Sequence, residues 1–490
     1  MRKVLLYICS VFILGGMTSC EDFLDKREDV GLTEDDIFRD YYSLRGFLDQ
    51  SFNQLENVMV MDNWENGRAF VGLFADEMAT TDNSSAVFTL HSGNWLSNAK
   101  SNKTFEIGNA GSTAISRSYK ALRINNRIIN DIDKAPLTPE QKNEILGQAY
   151  FYRSWFYFQI IKRYGGMPII DKVFEGGDDD IPRMTYHESH DWMMEDIQKA
   201  IYMLPDSWDD PNYGRPTKIA AMALKEWAQL FDASPLMQNN LNSTENKGYD
   251  TERAKSAAKS AYEVIRYMDG SKSAPYPYGL ASKEEYTNVF YFKYPPVHQP
   301  EYIWVKRQFP NAANQNQKRT IRTFWQYEDL AFGSGPDGNS MCCPSLNIVN
   351  MFDKKGADGI YYPIDDPRSG YALDYDHKPF EDRDPRFYNN ILLPGTTWGH
   401  YADGRTYYIT TYKGGAAYQH MLTQKDCNKR MFTGFMCKKF MWPECNQYLE
   451  KNNPNCWWDY RFLTIYIRAS QIYLDYAEAL FEGCGSATAT

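Results

Sequence analysis

The chain has 490 residues, 43% apolar and 24% charged, the make-up of a globular protein rather than a fibrous or disordered one. Acidic residues outnumber basic ones by 63 to 53, a net charge of −10 that argues against the basic footprint nucleic-acid phosphates demand. Aromatic content is high at 15%, with 36 Tyr and 12 Trp, which suits both a large core and sites that grip flat apolar faces such as sugar rings.

The first 19 residues read as an export signal: Arg2 and Lys3, an apolar run from Val4 to Leu14, then small residues. That run is too short to span a bilayer as a helix. "GGMTSC" then sets Cys20 directly after small residues, with "EDFLD" following. The arrangement resembles a bacterial lipobox, in which cleavage precedes the cysteine and its thiol is acylated; Met17 stands where Leu is usual. Cleavage there removes Arg2 and Lys3 and takes the net charge from −10 to −12. Residues 20–32 read as a tether. Thr33 with Asp36 opens a helix expected to run to about Glu56. Residues 57–113, rich in Asn, Ser, Thr and Gly, read as long ordered loops, where binding residues tend to sit.

From about residue 114 to 268 the pattern is helix after helix. Ile115, Tyr119, Leu122, Ile129 and Ile132 mark one stripe. The next segment is anomalous, with seven aromatic side chains in the nine positions from Tyr150 to Phe158. Thr138, Pro139 and Gln141 give it a capping box and a proline at the first helical position, while Gly165, Gly166 and Pro168 stop it. Arg153, Lys162 and Arg163 exclude a membrane span. A helix over about 139–164, apolar nearly all round, belongs inside the protein with neighbours on several sides. Thr185 and Glu188 cap another helix ending at Leu204-Pro205. Two more follow, carrying Ala220, Leu224, Trp227 and Phe231, then Ala254, Ala257, Ala258, Tyr262 and Ile265. Small residues at regular intervals let helices approach closely, and successive pairs suggest packing of the tetratricopeptide type with an irregular period.

Helical periodicity fades from 271 to 460, where Pro, Gly, Tyr and Asn dominate. "EYIWVKRQF" (301–309) and "TYYITTYK" (406–413) read as strands, and "YIRASQIYLDYAEALFEG" (466–483) returns to amphipathic helix. The expected divisions are a helical region over 33–270, a loop-rich, partly β subdomain over 271–460, and a return to the helical scaffold over 461–490. Besides Cys20, the exported chain has seven cysteines, an odd number. Those from Cys427 to Cys456 lack the close spacing of a zinc site and are candidates for disulfides.

No catalytic or nucleotide-binding motif is present. His187 and His190 are the one close histidine pair and read as a solvated first helical turn rather than metal ligands. In "EDRDPR" (381–386) Arg383 and Arg386 should lower the pKa values of neighbouring carboxylates, opposite to a glycosidase acid, and the segment reads as a loop-locking salt-bridge cluster. "GGDDDIP" (176–182) lacks the alternating ligand spacing of a calcium loop. No cofactor or metal is expected.

Taken in order, these pieces resemble the SusD/RagB family of outer-membrane nutrient-binding lipoproteins of Bacteroidetes. The similarity rests on Cys20 with "EDFLD", "GQAYFYRSWFYFQIIKRYGGMPII", "GRPTKIAAMALKEWAQLF", "CPSLNIVNMF", "EDRDPRFYNNILLPG" and "IRASQIYLDYAEAL". It implies a mostly α fold, a tetratricopeptide-like superhelix whose loop insertions and partly β subdomain form a ligand face. It also implies a lipid-anchored position on the outer-membrane surface, a SusC-like TonB-dependent transporter as partner, and a glycan as ligand, with a peptide, as in RagB-like members, as the alternative. A surface glycoside hydrolase on the same scaffold is a remoter reading. Family members continue for further helices beyond the last one here, so the resemblance implies a piece of a longer product. Candidate ligand residues are rings in polar, irregular segments, namely Trp95, Trp325 and Tyr327, with Asn94 and Arg68 as hydrogen-bond donors to hydroxyls.

Overall fold

A computed structural model of the chain describes residues 33–55, 75–79, 114–174, 180–239, 247–273, 276–290, 299–307, 343–372, 378–400, 406–415, 433–439 and 463–486. Helix α1 (Glu34–Phe38) opens with the reciprocal Thr33–Asp36 box. The expected single helix to about residue 56 breaks at once. Asp40 is extended (φ −157°), and its carboxylate accepts from Ser43 N at 2.8 Å, capping a second helix, α2 (Tyr41–Gln54).

Helices α3 (Ala114–Asp131), α4 (Pro139–Tyr164), α5 (Tyr186–Met203), α6 (Lys218–Ala233), the short α7 (Pro235–Gln238) and α8 (Thr251–Gly270) follow. The boxes at Thr138–Gln141 and Thr185–Glu188 both form. Helix α4 stops as its glycines require: Gly165 takes φ 77°, and a Cβ on Gly166 would lie 2.1 Å from the Met184 carbonyl oxygen. Tyr157 Oη donates to the Met167 and Pro168 carbonyls, fastening the exit loop to the helix. Among the described residues, no helix is long and apolar enough to cross a membrane.

The irregular part pairs short strands. They are β1 (Met78–Ala79), β2 (Tyr302–Arg307), β3 (Cys343–Pro344), β4 (Lys354–Lys355), β5 (Tyr361–Tyr362), β6 (Ile391–Leu392), β7 (Thr397–His400), β8 (Thr406–Tyr408), β9 (Met436–Cys437) and β10 (Leu463–Arg468). The antiparallel pairs are β1–β3, β2–β10, β4–β5, β6–β9 and β7–β8. Two short helices, α9 (Leu346–Met351) and α10 (Pro385–Asn390), and the closing helix α11 (Ala469–Cys484) complete the set. Tyr466 to Arg468, expected as the first turn of that last helix, instead belong to β10, which hydrogen-bonds to β2 before the chain turns helical at Ala469.

The protein is mostly α. Helices α2, α3, α4, α5, α6, α8 and α11 each pack against the next in sequence, the nearest-neighbour layering of a solenoid. Ala254, Ala257, Ala258 and Ala261 are buried along α8. A Cβ on Gly483 of α11 would come within 2.9 Å of Lys255 N, so these two helices meet almost backbone to backbone.

The aromatic run of α4 is the core. Phe151, Tyr152, Trp155, Phe156, Tyr157 and Phe158 are all buried. The β2–β10 ribbon lies over them, with Trp304 edge-on to Phe151 (4.8 Å) and Trp155 (4.7 Å) and Tyr466 against both Trp155 and Trp304. Arg153 is buried inside this array. Its guanidinium donates twice to Asp196 (2.5 and 2.8 Å) and once to Asn126 (2.9 Å) and lies 5.2 Å from the Trp192 ring centre, so its charge is matched.

Candidate functional site

Two junctions in the frame lie where the described chain stops and resumes. At the first, β1 and β3 pair with Ala79 opposite Cys343 and Met78 opposite Pro344. Ser345 clamps the pair, its N–H donating to the Glu77 carbonyl (3.0 Å) and its hydroxyl to that of Asp76, while its Oγ caps α9. Strand β9 packs on β3 and pairs with β6 through Ile391–Cys437 and Leu392–Met436. Cys343 and Cys437 are both buried here; Cys437 is not in a disulfide, and burial pushes its thiol up to about 12. In sequence Trp95 follows Ala79 and Trp325 precedes Cys343, the Cα partner of Ala79.

At the second junction Lys306, near the end of β2, donates from Nζ to the Leu55 carbonyl (2.9 Å) just past α2. The chain leaves toward Arg68 at Leu55 and toward Trp325 at Arg307. Arg117 stands in the first turn of α3. Burial, then Arg117, lowers Lys306 to about 8.

Further cations sit in the same irregular region of this acidic protein. Lys438 lies 5.1 Å from the Trp398 ring centre and donates to the Tyr388 carbonyl (2.7 Å). Lys439 and Arg468 both face the Phe290 ring, at 4.3 and 4.9 Å, and Arg468 pairs with Glu301 at 3.2 Å. Burial lowers both lysines, and Arg468 adds to the effect on Lys439.

The "EDRDPR" segment is partly the cluster expected. Arg386 pairs with Asp384 at 2.7 Å and lowers its carboxyl. Arg383 does something else. It is 1% exposed and bonds no carboxylate; it donates to the carbonyls of Val349, Phe352, Asp353 and Pro379 and lies 4.8 Å from the Phe387 ring centre. It ties the C-terminal end of α9 to the loop before α10. In that loop Lys378 and Asp382 hold positive φ (46° and 55°), and Tyr361 and Tyr388 are exposed beside it.

The histidine pair is not a solvated turn. His190 is 4% exposed, and both rings approach the buried Asp232, with Nδ1 at 2.7 Å from His187 and 3.4 Å from His190. Arg253 also bonds Asp232, so one carboxylate joins α5, α6 and α8. A second cluster lies where α6 meets α11. Glu226 is fully buried with both carboxylate oxygens unpartnered and is raised by burial, then by Asp475 and Glu478. Neither cluster includes an activated nucleophile. Among the described residues, no group of three or more His, Cys, Asp and Glu side chains is arranged to hold a metal ion.

The residues singled out as ligand contacts, Arg68, Asn94, Trp95, Trp325 and Tyr327, lie outside the described residues, as do Cys20 and most of "GGDDDIP". Lys306 and Arg117 escaped the sequence reading. Lys306 lies one residue from the end of a strand whose preceding four residues are all buried, so no alternation marks it, and Arg117 reads as a polar position of an amphipathic helix.

The sequence pattern of a family described as "Starch-binding associating with outer membrane" matches residues 22–226, and that of the SusD family matches residues 300–490. No curated protein matches. Among solved structures, a SusD-like protein from Bacteroides fragilis superposes with a TM-score of 0.65 at 21% identity, over 93% of this chain and 78% of its own. A SusD-like carbohydrate-binding protein from the same organism gives 0.61 at 19%, over 91% and 75%. A laminarin-binding SusD-like protein gives 0.55 at 16%, over 90% and 79%. At such identities the likeness speaks for the fold.

Proposed function

Because the chain belongs to the SusD family, we propose that it is a glycan-binding protein of the cell surface. It captures oligosaccharide without turning it over and passes it to a SusC-like TonB-dependent transporter, held to the outer membrane by lipid on Cys20. The observation that carries this reading is the two-part family match, over residues 22–226 and 300–490. Structural neighbours described as binding carbohydrate or laminarin support a glycan as the ligand. Trp95 and Trp325 fall in polar segments of the sequence. Rings on such segments offer sugars flat apolar faces, and polar neighbours offer hydrogen bonds.

The test is affinity electrophoresis against a panel of plant, algal and host polysaccharides, with a reducing-end assay on the same mixtures. The wild type is expected to be retarded by at least one polysaccharide and to release no reducing ends. A Trp95→Ala/Trp325→Ala double variant is expected to keep its thermal midpoint and lose the retardation. Release of reducing ends would overturn the binding-only reading, and undiminished retardation of the double variant would overturn the assignment of those two rings.

A further inference from the structure

Three short stretches of the irregular region run side by side, and their solvent face sets open polar groups between two rings. Strand β5 pairs with β4, Tyr361 opposite Lys355 and Tyr362 opposite Lys354. Along its other edge β4 takes the loop before α10: Lys354 bridges Arg383, and the Lys355 N–H donates to the Asp382 carbonyl at 2.7 Å. Alternation then sorts the side chains. Tyr362, Lys354 and Arg383 are buried on the inner face, whereas Tyr361, Lys355 and Asp382 form one exposed row. The bonds to β4 come from Asp382 and Asp384, on either side of Arg383, so the Arg383 N–H points to the free edge. There it donates to Tyr388 Oη (3.1 Å), which itself donates to the Phe380 carbonyl (2.9 Å). A second ring, 37% exposed against 41% for Tyr361, therefore closes the far end of the row.

We propose that Tyr361, Lys355, Asp382 and Tyr388 form a second glycan-binding site, for neutral pyranose chains with free vicinal hydroxyls. It rests on the glycan-capture reading and adds a site to the tryptophans named there. Two observations carry it. Lys355 and Asp382 are cross-strand neighbours of opposite charge, yet among the described residues neither side chain makes a hydrogen bond or an ion pair, with the other or elsewhere. An open donor beside an open acceptor suits hydroxyls, each of which can accept from an ammonium and donate to a carboxylate. The second observation is the backbone. Asp382 holds φ 55°, a conformation glycine takes without cost, in a loop that the buried Arg383 ties to the end of α9. Strain that rigid surroundings hold in place is a feature of ligand clamps. Tyr388 is fixed too, its hydroxyl engaged on both sides and its ring edge-on to Phe387 at 5.3 Å. Groups set in advance lose little freedom when a ligand arrives.

The dimensions and charge of the row set the ligand class. Neighbouring strands lie about 4.8 Å apart, so Tyr361 to Asp382 spans about 10 Å, with Tyr388 beyond. That length takes consecutive sugar rings rather than one. A pyranose lays its apolar C–H face on a tyrosine while its hydroxyls reach Lys355 and Asp382. One positive and one negative charge sum to zero, so the row favours no ionic ligand, whereas hydroxyls use both groups. Two half-exposed rings bind weakly alone. On a long chain also held at the first site they add through effective concentration.

Hydroxyl-radical footprinting read by mass spectrometry, on the full chain with and without laminarin, xyloglucan or amylopectin, tests the site directly. At least one of the three is expected to protect Tyr361 and Tyr388 severalfold, while the more exposed Tyr42 and Tyr202 on the helical array stay unprotected. Affinity electrophoresis in the protecting polysaccharide then compares variants. Tyr361→Ala and Asp382→Asn are each expected to weaken retardation about fivefold, through loss of a stacking face and of a charged acceptor respectively. Tyr361→Phe keeps the ring and is expected to match wild type. Asparagine accepts positive φ as readily as aspartate, and Tyr361 is on the surface, so all three variants should keep the wild-type thermal midpoint. Tyr361 and Tyr388 left unprotected, protection shared equally by Tyr42 and Tyr202, or undiminished retardation of Tyr361→Ala and Asp382→Asn overturns the second site and leaves glycan capture standing. Retardation of the wild type by polygalacturonate but by no neutral polysaccharide overturns it likewise. If no polysaccharide of any charge retards the wild type, glycan capture itself fails, and the second site with it.

Discussion

Replacing Asp475 with asparagine should stabilise the protein at neutral pH and leave it unchanged in mild acid. Asp475 lies on α11, where that helix meets α6, on the same side as Glu478 and close to the fully buried Glu226. Burial raises its carboxyl from 3.8 to about 6; a hydrogen bond from Gln471 (3.3 Å) pulls the other way, and the charge of Glu478 adds to the rise. The unfolded chain has no such constraint. Well below pH 4 the group is protonated in both states and costs nothing. Between about 4 and 6 the unfolded chain gives up its proton first, so stability falls as pH rises, and above 6 the penalty is complete. A shift of about two units corresponds to about 3 kcal/mol at pH 7. Asparagine keeps an acceptor for Gln471 and carries no charge, so it removes the penalty and also one of the charges that raise Glu226. Urea unfolding followed by circular dichroism at pH 4, 5.5 and 7 measures this. The variant's advantage should be near zero at the first, intermediate at the second and about 3 kcal/mol at the third. An advantage independent of pH, or a loss at pH 7, would refute the argument.

Trp155→Ala should cost about 3 to 5 kcal/mol, because the indole is buried against Trp304, Tyr466 and Trp227 and no rearrangement of fixed rings fills the space. A loss under 1 kcal/mol in urea unfolding would mean the ribbon does not sit on α4. Arg383→Met should loosen the segment around α9 and α10 by stranding the Val349 and Phe352 carbonyls, raising proteolysis there while the far-ultraviolet helical signal stays within about a tenth of wild type. Unchanged proteolysis would contradict the bonding described. Cys20→Ala should leave the membrane fraction for the soluble one, since burial of acyl carbons at about 0.8 kcal/mol per CH₂ is what would hold the protein there; retention in cells lacking the transporter would remove the anchor.

What was legible in the sequence was local. Thr138 with Gln141 and Thr185 with Glu188 lie three residues apart, so each cap could be read directly, and each forms. The aromatic helix was legible as core because rings on every side of a cylinder leave it no wet face. The failures share a different cause. Asp40 passed for one more helical residue because nothing nearby announces an extended backbone. Tyr466 to Arg468 passed for helix because their strand partner, Tyr302 to Arg307, lies more than 150 residues away. His190 passed for exposed because Asp232, itself bonded by Arg253, reaches it from another helix. The candidate site divides the same way. Trp95 and Trp325 stand out because no local stripe accounts for them, which is information the sequence carries. That Ala79 and Cys343 are ladder partners is information only the fold carries. Lys306 is the sharpest case. In "YIWVKR" it is an ordinary polar residue near the end of a strand, and its setting comes from burial and from the Leu55 carbonyl just past α2. A setting made by distant neighbours leaves no motif in the sequence.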